Sequence, residues 1–158
     1  KLIPKMINIS VFSEEKAWSK RLRNKELFFK KICKSFPHKY KFIGKKVSFT
    51  LLLSNNHNVK RLNKYFRNKN KSTDILSFPT HKKQKIIKDI YIGDIIISYN
   101  FINKPNSQSS KFFKEKLIKI FIHGFLNLLN FNHIKNKDYM SMLKEEELIY
   151  KSVISKLY

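Results

Sequence analysis

The chain has 158 residues, 42 % of them hydrophobic, and a formal net charge of +23. This composition predicts a folded domain rather than a disordered segment, and the lack of any run of about 18 uncharged apolar residues argues against a membrane span. A single cysteine, Cys33, leaves no partner for an internal disulfide, and residues 1–6 lack a signal-peptide pattern, so we expect a cytoplasmic protein.

The first elements predicted are a strand and a helix. Loose alternation from Lys5 to Phe12 predicts the strand. Ser13 is followed by two glutamates, a pattern typical of a helix start, because a hydroxyl caps the first N–H groups and acids suit the positive end of the helix dipole. Apolar residues then recur at near-helical spacing as far as Phe36, so one helix is expected there.

The middle of the chain predicts three strands and a short helix. The strands are Val47–Leu53, Thr73–Phe78, which is ended by a proline, and Tyr91–Ser98. The helix begins among the asparagines at 55–58 and ends at about Tyr65. Lysine-rich residues 80–89 are expected to form an exposed loop.

Two helices are predicted after a polar linker at residues 103–110. They cover about Lys111 to Leu129 and about Lys137 to Leu157, the second with an apolar stripe that begins at Met140. The element order predicts one α/β (α+β) domain, with a mixed four-stranded sheet flanked by helices.

The first of these two helices is apolar on nearly every side, which predicts a buried, central position. A polar stripe of His123 and Asn127, one turn apart, must then face a cavity or a partner. Gly124 costs about 1 kcal/mol relative to alanine inside a helix, so close packing against a neighbour is expected there.

The end of the same helix has the spacing of a metal site. His123 and position 127 share one helical face, and His133 follows just past the helix end. Two ligands from a helix and a third from the loop behind it leave a coordination position open, as a hydrolytic metal requires. Asn127, however, offers an amide where an imidazole would be the stronger ligand.

Three segments together resemble the YbeY family of endoribonucleases, which act in ribosomal RNA maturation. Leu62–Pro79 is similar to the family block L-N-x-x-[YF]-R-x-x-x-x-x-T-[DN]-V-L-S-F-P, and Ile92–Ile97 to its G-D-[IL]-x-I strand. His123–His133 is similar to H-G-x-L-H-L-x-G-[YF]-D-H. The segments occur in order and at compatible spacing, from about Leu62 to Glu147. The resemblance implies that residues 1–158 form a single YbeY-like domain.

The resemblance also implies roles for particular residues. The family's histidines bind zinc and its arginine is implicated in RNA cleavage, so His123 and His133 match as ligands of one Zn²⁺ per chain and Arg67 matches as the catalytic residue. Asn127 stands where the family has the middle histidine, so a reduced zinc affinity is expected.

Two further asparagines depart from the family pattern. Asn130 replaces a glycine just past the helix end, and asparagine tolerates the left-handed conformation expected there. Asn132 replaces an acid, and losing such support around a metal ligand typically costs about 10–100-fold in affinity or activity.

Other polar residues receive structural interpretations. Asp74 either caps a turn or lies near the metal, and the structural role is favoured. Ser77 is expected to bond to backbone on its strand rather than act as a nucleophile. Asp94, on a buried strand, must be paired or lie at the edge of the site, because burying a lone carboxylate is costly. Glu145–Glu147 are expected to form a solvated face, and Cys33 to be a small core residue.

The function predicted is a single-strand-specific, metal-dependent endoribonuclease acting in maturation of small-subunit ribosomal RNA and in ribosome quality control. Its partners would be single-stranded RNA, ribosomal RNA or the small subunit, without a membrane. A catalytically weakened or inactive RNA- or ribosome-binding relic, and a metallohydrolase with another substrate, stay open, as does the oligomeric state. A protease is disfavoured, because no glutamate adjoins His123 to serve as its base.

The charge has two interpretations. In the first interpretation, the positive charge serves to bind a polyanionic partner such as RNA. AT-rich codon usage would also produce it, because lysine is inflated together with asparagine, isoleucine, phenylalanine and tyrosine, and the cations are spread along the whole chain. The charge therefore permits RNA binding without establishing it.

Overall fold

The computed structural model of the chain describes residues 6–80, 89–130 and 136–158. Four strands are present in this part of the chain: β1 (Ile7–Ser13), β2 (Val47–Ser54), β3 (Ile75–Pro79) and β4 (Ile90–Ser98). The α-helices are α1 (Lys25–Lys34), α2 (Asn56–Arg67), α3 (Tyr99–Ile102), α4 (Ser110–Leu128) and α5 (Asn136–Leu157).

The strands form one mixed sheet in the order β1-β2-β4-β3. β1 and β4 both run parallel to β2, whereas β3 pairs antiparallel to β4 and closes one edge of the sheet. A helix follows β1 and another follows β2, as parallel connections require. The predicted α/β class, with a mixed four-stranded sheet flanked by helices, is confirmed.

Helices cover both faces of the sheet because successive strand residues point to opposite sides. On one face, Leu51 of β2 and Ile95 of β4 belong to the main core formed with α1, α4 and α5. On the other face, Leu52 and Ile96 pack with Val59 of α2 in a smaller cluster. α2 and α4 therefore lie on opposite sides of the sheet.

α4 is the central helix, as predicted, and nine of its residues are buried. Phe112 in its first turn differs from that expectation and is 68 % exposed. A Cβ added to Gly124 would lie 2.5 Å from Cδ1 of Ile75 and 3.1 Å from Cγ2 of Ile95. The expected close packing is confirmed, and it holds the residue next to His123 against β3 and β4.

The single helix predicted from Ser13 is wrong, because the chain forms a 3-10 helix at Lys16–Lys20 and then α1. Trp18 is fully buried and its Nε1 donates to the carbonyl of Ser54 at 2.9 Å, which fixes the short helix against the end of β2. Asn24 then adopts an extended conformation and caps α1 by accepting from the Leu27 N–H. A long-range contact and a second cap thus divide one apolar pattern into two helices.

None of the helices in the described ranges combines the length and the hydrophobicity that crossing a bilayer requires.

Candidate active site

His123 projects from the penultimate turn of α4 and pairs with an acid of α5. Its Nδ1 lies 2.5 Å from Oε1 of Glu146, and the two side chains are 32 % and 24 % exposed. A carboxylate accepts hydrogen bonds, so Nδ1 is the donor, and in the neutral imidazole the lone pair is then on Nε2. Glu146 therefore fixes both the tautomer and the orientation of the ring.

Two neighbouring cavities of about 300 Å³ each share His123 and Glu146. The first cavity is also lined by three residues of α5: Tyr139, Met142 and Leu143. The second is also lined by residues at the start of β3 and in α4: Asp74, Ile75, Lys119 and Ile120. The prediction that the polar stripe of α4 faces a cavity is confirmed for His123.

Asn127 lies one turn after His123 and is likewise partly buried. α4 ends at Leu128, and Asn130 has a φ of +67°, the left-handed conformation predicted for it. The other predicted ligand, His133, and the neighbouring Asn132 lie outside the described residues. Within the described ranges, no three His, Cys, Asp or Glu side chains are grouped closely enough to hold a metal ion.

Arg67 ends α2 on the opposite face of the sheet and reaches the edge strand. Its Nη2 donates to the carbonyl of Ser77 at 2.8 Å, and its guanidinium carbon lies 5.4 Å from the ring centroid of Phe78. The Ser77 hydroxyl in turn donates to the carbonyl of Gly124 at 3.3 Å. Two hydrogen bonds through Ser77 thus connect Arg67 to the residue that follows His123. Ser77 bonds to backbone, as predicted.

Two asparagines to which the sequence analysis assigned no role hold the turn after Arg67. Asn63 is buried, and its Nδ2 donates to the carbonyl of Lys71 at 2.9 Å. Asn68 caps the end of α2 with a φ of +55°. A buried asparagine on an amphipathic helix was the available signal, because a polar group in that position needs a specific partner.

The solvated face predicted at Glu145–Glu147 is wrong for two of its three residues. Glu146 pairs with His123, and Glu145 lies 2.5 Å from Nζ of Lys39 and accepts from the Tyr40 hydroxyl. Hydrogen bonds from Lys39, the larger effect, and from Tyr40 lower the pKa of Glu145. Only Glu147 is exposed, as expected.

The two predicted aspartates occupy different surroundings. The backbone carbonyl of Asp74 accepts from the Ser98 N–H at 2.9 Å, and Asp74 also lines one of the two cavities next to His123. Asp94 is paired, as expected, through a hydrogen bond from the Tyr91 hydroxyl, but it is exposed rather than buried. The alternation on β4 turns Asp94 away from the main core.

A histidine that is oriented by an acid and faces a cavity is a candidate general acid, general base or metal ligand, so this part of the α/β fold is a candidate active site. The comparisons with known proteins identify the family. The chain belongs to the endoribonuclease YbeY family, whose model matches residues 10–154. The resemblance seen in the three sequence segments is therefore confirmed, and with it the enzyme class.

The relatives match over much of the chain. The endoribonuclease YbeY of Pelagibacter ubique is 58 % identical over 152 residues, covering 96 % of this chain and 99 % of its own. The relative from Buchnera aphidicola is 35 % identical and covers 82 % of this chain and 81 % of its own. A solution structure from Thermotoga maritima matches with a TM-score of 0.58 and 25 % identity, covering 94 % and 91 % of the two chains.

Proposed function

We propose that this chain is a zinc-dependent endoribonuclease that cleaves single-stranded RNA during maturation of small-subunit ribosomal RNA, in the cytoplasm. The observation that carries the proposal is the connection from Arg67 through Ser77 to the turn of α4 that presents His123 to an open cavity. Family membership supports the same chemistry.

Among the described residues, His123 suits a metal ion, whereas Asn127 should lower the affinity for one. His123 has its Nδ1 bonded to a carboxylate, the support that zinc-binding histidines commonly have. Asn127 offers only a neutral amide. His123 and His133 would hold the ion, with Asn127 as a poor third ligand. When bound, zinc would lower the pKa of a water molecule and polarise the phosphate.

The chain's own residues would bind and orient the RNA. A guanidinium has five N–H donors, and the bond to Ser77 occupies one, so Arg67 can hold a phosphate with others and offset charge that develops in the transition state. Lys119 lines the His123 cavity and would attract the RNA backbone. Glu146 would keep the ring of His123 in place while the phosphate enters.

The direct test measures metal and RNA cleavage together. We expect the purified protein to contain less than one zinc per chain, because Asn127 is a poor ligand, and Asn127→His to raise both zinc content and the rate of cleavage. Metal analysis of the two proteins and cleavage of a single-stranded ribosomal RNA fragment provide the readouts. Equal zinc contents would argue against a ligand position at 127. An inactive protein without zinc that still binds RNA tightly would favour the relic over the enzyme.

Glu146 gives a second test of the site. Glu146→Ala should reduce cleavage by about 10–100-fold, because His123 loses the partner that fixes its ring. Glu147→Ala is the matched control, since this neighbouring acid is exposed and pairs only with Lys151 at 3.0 Å among the described residues. The comparison is made at equal protein stability, checked by thermal unfolding. Equal activity of the two variants would remove Glu146 from the site.

A further inference from the structure

An exposed aromatic surface adjoins Arg67 on the side of the sheet covered by α2. Tyr65 is 80 % exposed and Phe66 is 60 % exposed. Their rings lie edge to face with centroids 4.7 Å apart, and Phe66 also contacts Phe78 of β3 at 5.2 Å. The guanidinium of Arg67 lies over that same Phe78 ring. We call these four residues the aromatic ledge.

Exposing the rings of the aromatic ledge to water is unfavourable, and the fold does not require an aromatic residue at position 65. The buried side of α2 is supplied by Val59 and Asn63, and the ring of Tyr65 projects away from it. Exposed aromatic rings that form one contiguous surface indicate a partner more strongly than scattered single residues do.

The charge around the ledge indicates which partner. From residue 56 to residue 73 the chain contains no Asp or Glu and six cations: Lys60, Arg61, Lys64, Arg67, Lys69 and Lys71. Arg61 precedes Tyr65 by one helical turn, and Lys64 is its neighbour, so cations flank the exposed ring. Asp94 lies in register with Phe78 on β4 and gives the surface an acidic border on that side. Flat apolar rings among cations match a single-stranded polyanion that carries flat bases.

We propose that the aromatic ledge binds unpaired nucleotides of single-stranded RNA next to the phosphate held by Arg67, with bases stacked on Tyr65 and Phe66. This inference deepens the proposed function and rests on it for the identity of the ligand. Double-stranded RNA would not bind in this way, because its bases are already stacked on one another and shielded in the helix. The ledge thus supplies a physical reason for preferring single strands.

The test compares variants that change a ring and leave the charge constant. Labelled single-stranded oligothymidylate is the probe, because its unpaired bases can stack and an endoribonuclease leaves it intact. Tyr65→Ala should weaken binding about 5- to 150-fold, the range for losing one base–aromatic stack. Tyr65→Phe should bind as the unchanged protein does. Phe112→Ala, which removes an exposed ring from α4 on the other face, should have no effect.

The same proteins are assayed for cleavage of single-stranded RNA, which separates this inference from the proposed function. If Tyr65→Ala binds the probe as well as the unchanged protein does, the proposal that the aromatic ledge binds nucleotides is wrong, even when cleavage is normal. The same holds if Phe112→Ala weakens binding as much as Tyr65→Ala does. If binding depends on Tyr65 and no protein cleaves RNA, the ledge stands and the endonuclease proposal fails. A duplex probe should show no dependence on Tyr65; an equal dependence would contradict stacking of unpaired bases.

Discussion

Arg67→Ala should reduce the rate of single-stranded RNA cleavage by about 10²–10³-fold, the usual effect of removing one group that stabilises charge in a transition state. The fold should survive, because Arg67 is exposed and its bond to the Ser77 carbonyl is made at the rim of the sheet. The measurement is the single-turnover rate at saturating protein, which separates the chemical step from RNA binding.

The matched control is Arg61→Ala, which removes the same charge from the same helix. Arg61 is exposed and lies more than one turn before Arg67, so its loss should weaken binding slightly and leave the single-turnover rate unchanged. Arg67→Lys should restore little activity, because an ammonium cannot make the paired contacts of a guanidinium. Full cleavage by Arg67→Ala would show that the role assigned to this residue is wrong.

Gly93→Ala should destabilise the protein by about 2–6 kcal/mol, the sum of backbone strain and overpacking. Gly93 has a φ of +138°, which side chains rarely permit. A Cβ there would lie 2.2 Å from the carbonyl oxygen of Phe78 and 2.9 Å from Cδ2 of Leu128. The backbone of β3 would have to move, and with it the strand that connects Arg67 to α4. The measurement is the free energy of unfolding in denaturant.

Gly44→Ala is the control for backbone strain alone. Gly44 also has a positive φ, +85°, but nothing lies within 4 Å of an added Cβ. Its substitution should cost about 1–3 kcal/mol from conformation without any clash. If the two alanine variants unfold at the same denaturant concentration, close approach of β3 at Gly93 is not what requires the glycine.

The elements with strong local signals were predictable from the sequence. Asn55 and Ser109 cap their helices by accepting backbone N–H bonds, as expected of residues at those positions. The left-handed turn at Asn130 followed from the chemistry of asparagine, and the close approach at Gly124 from the cost of a glycine inside a helix. In each case the reason lies within a few residues of the position itself.

The parts that were missed depend on partners distant in the chain. Nothing near Glu146 in sequence shows that it pairs with His123, which lies 23 residues away and on another helix. Tyr40 is 105 residues from Glu145. Periodicity assigns acids to a helix surface, but whether that surface meets water or a neighbouring helix depends on how α5 docks. Likewise, the pattern of α2 does not show which face of the sheet it covers.

The hydrogen bond from Arg67 to Ser77 is made at the outer edge of β3, the last strand on its side of the sheet described. The carbonyl of Asp74 accepts from the Ser98 N–H, and the Thr80 N–H donates to the carbonyl of Ile92. In this antiparallel register the backbone groups of even-numbered residues therefore bond to β4, and those of Ser77 point away from it. An outward carbonyl on an edge strand is a template for pairing with another polypeptide. By donating to that carbonyl, the guanidinium of Arg67 occupies an acceptor that another polypeptide strand would otherwise use, so this side chain covers part of the outer edge of β3.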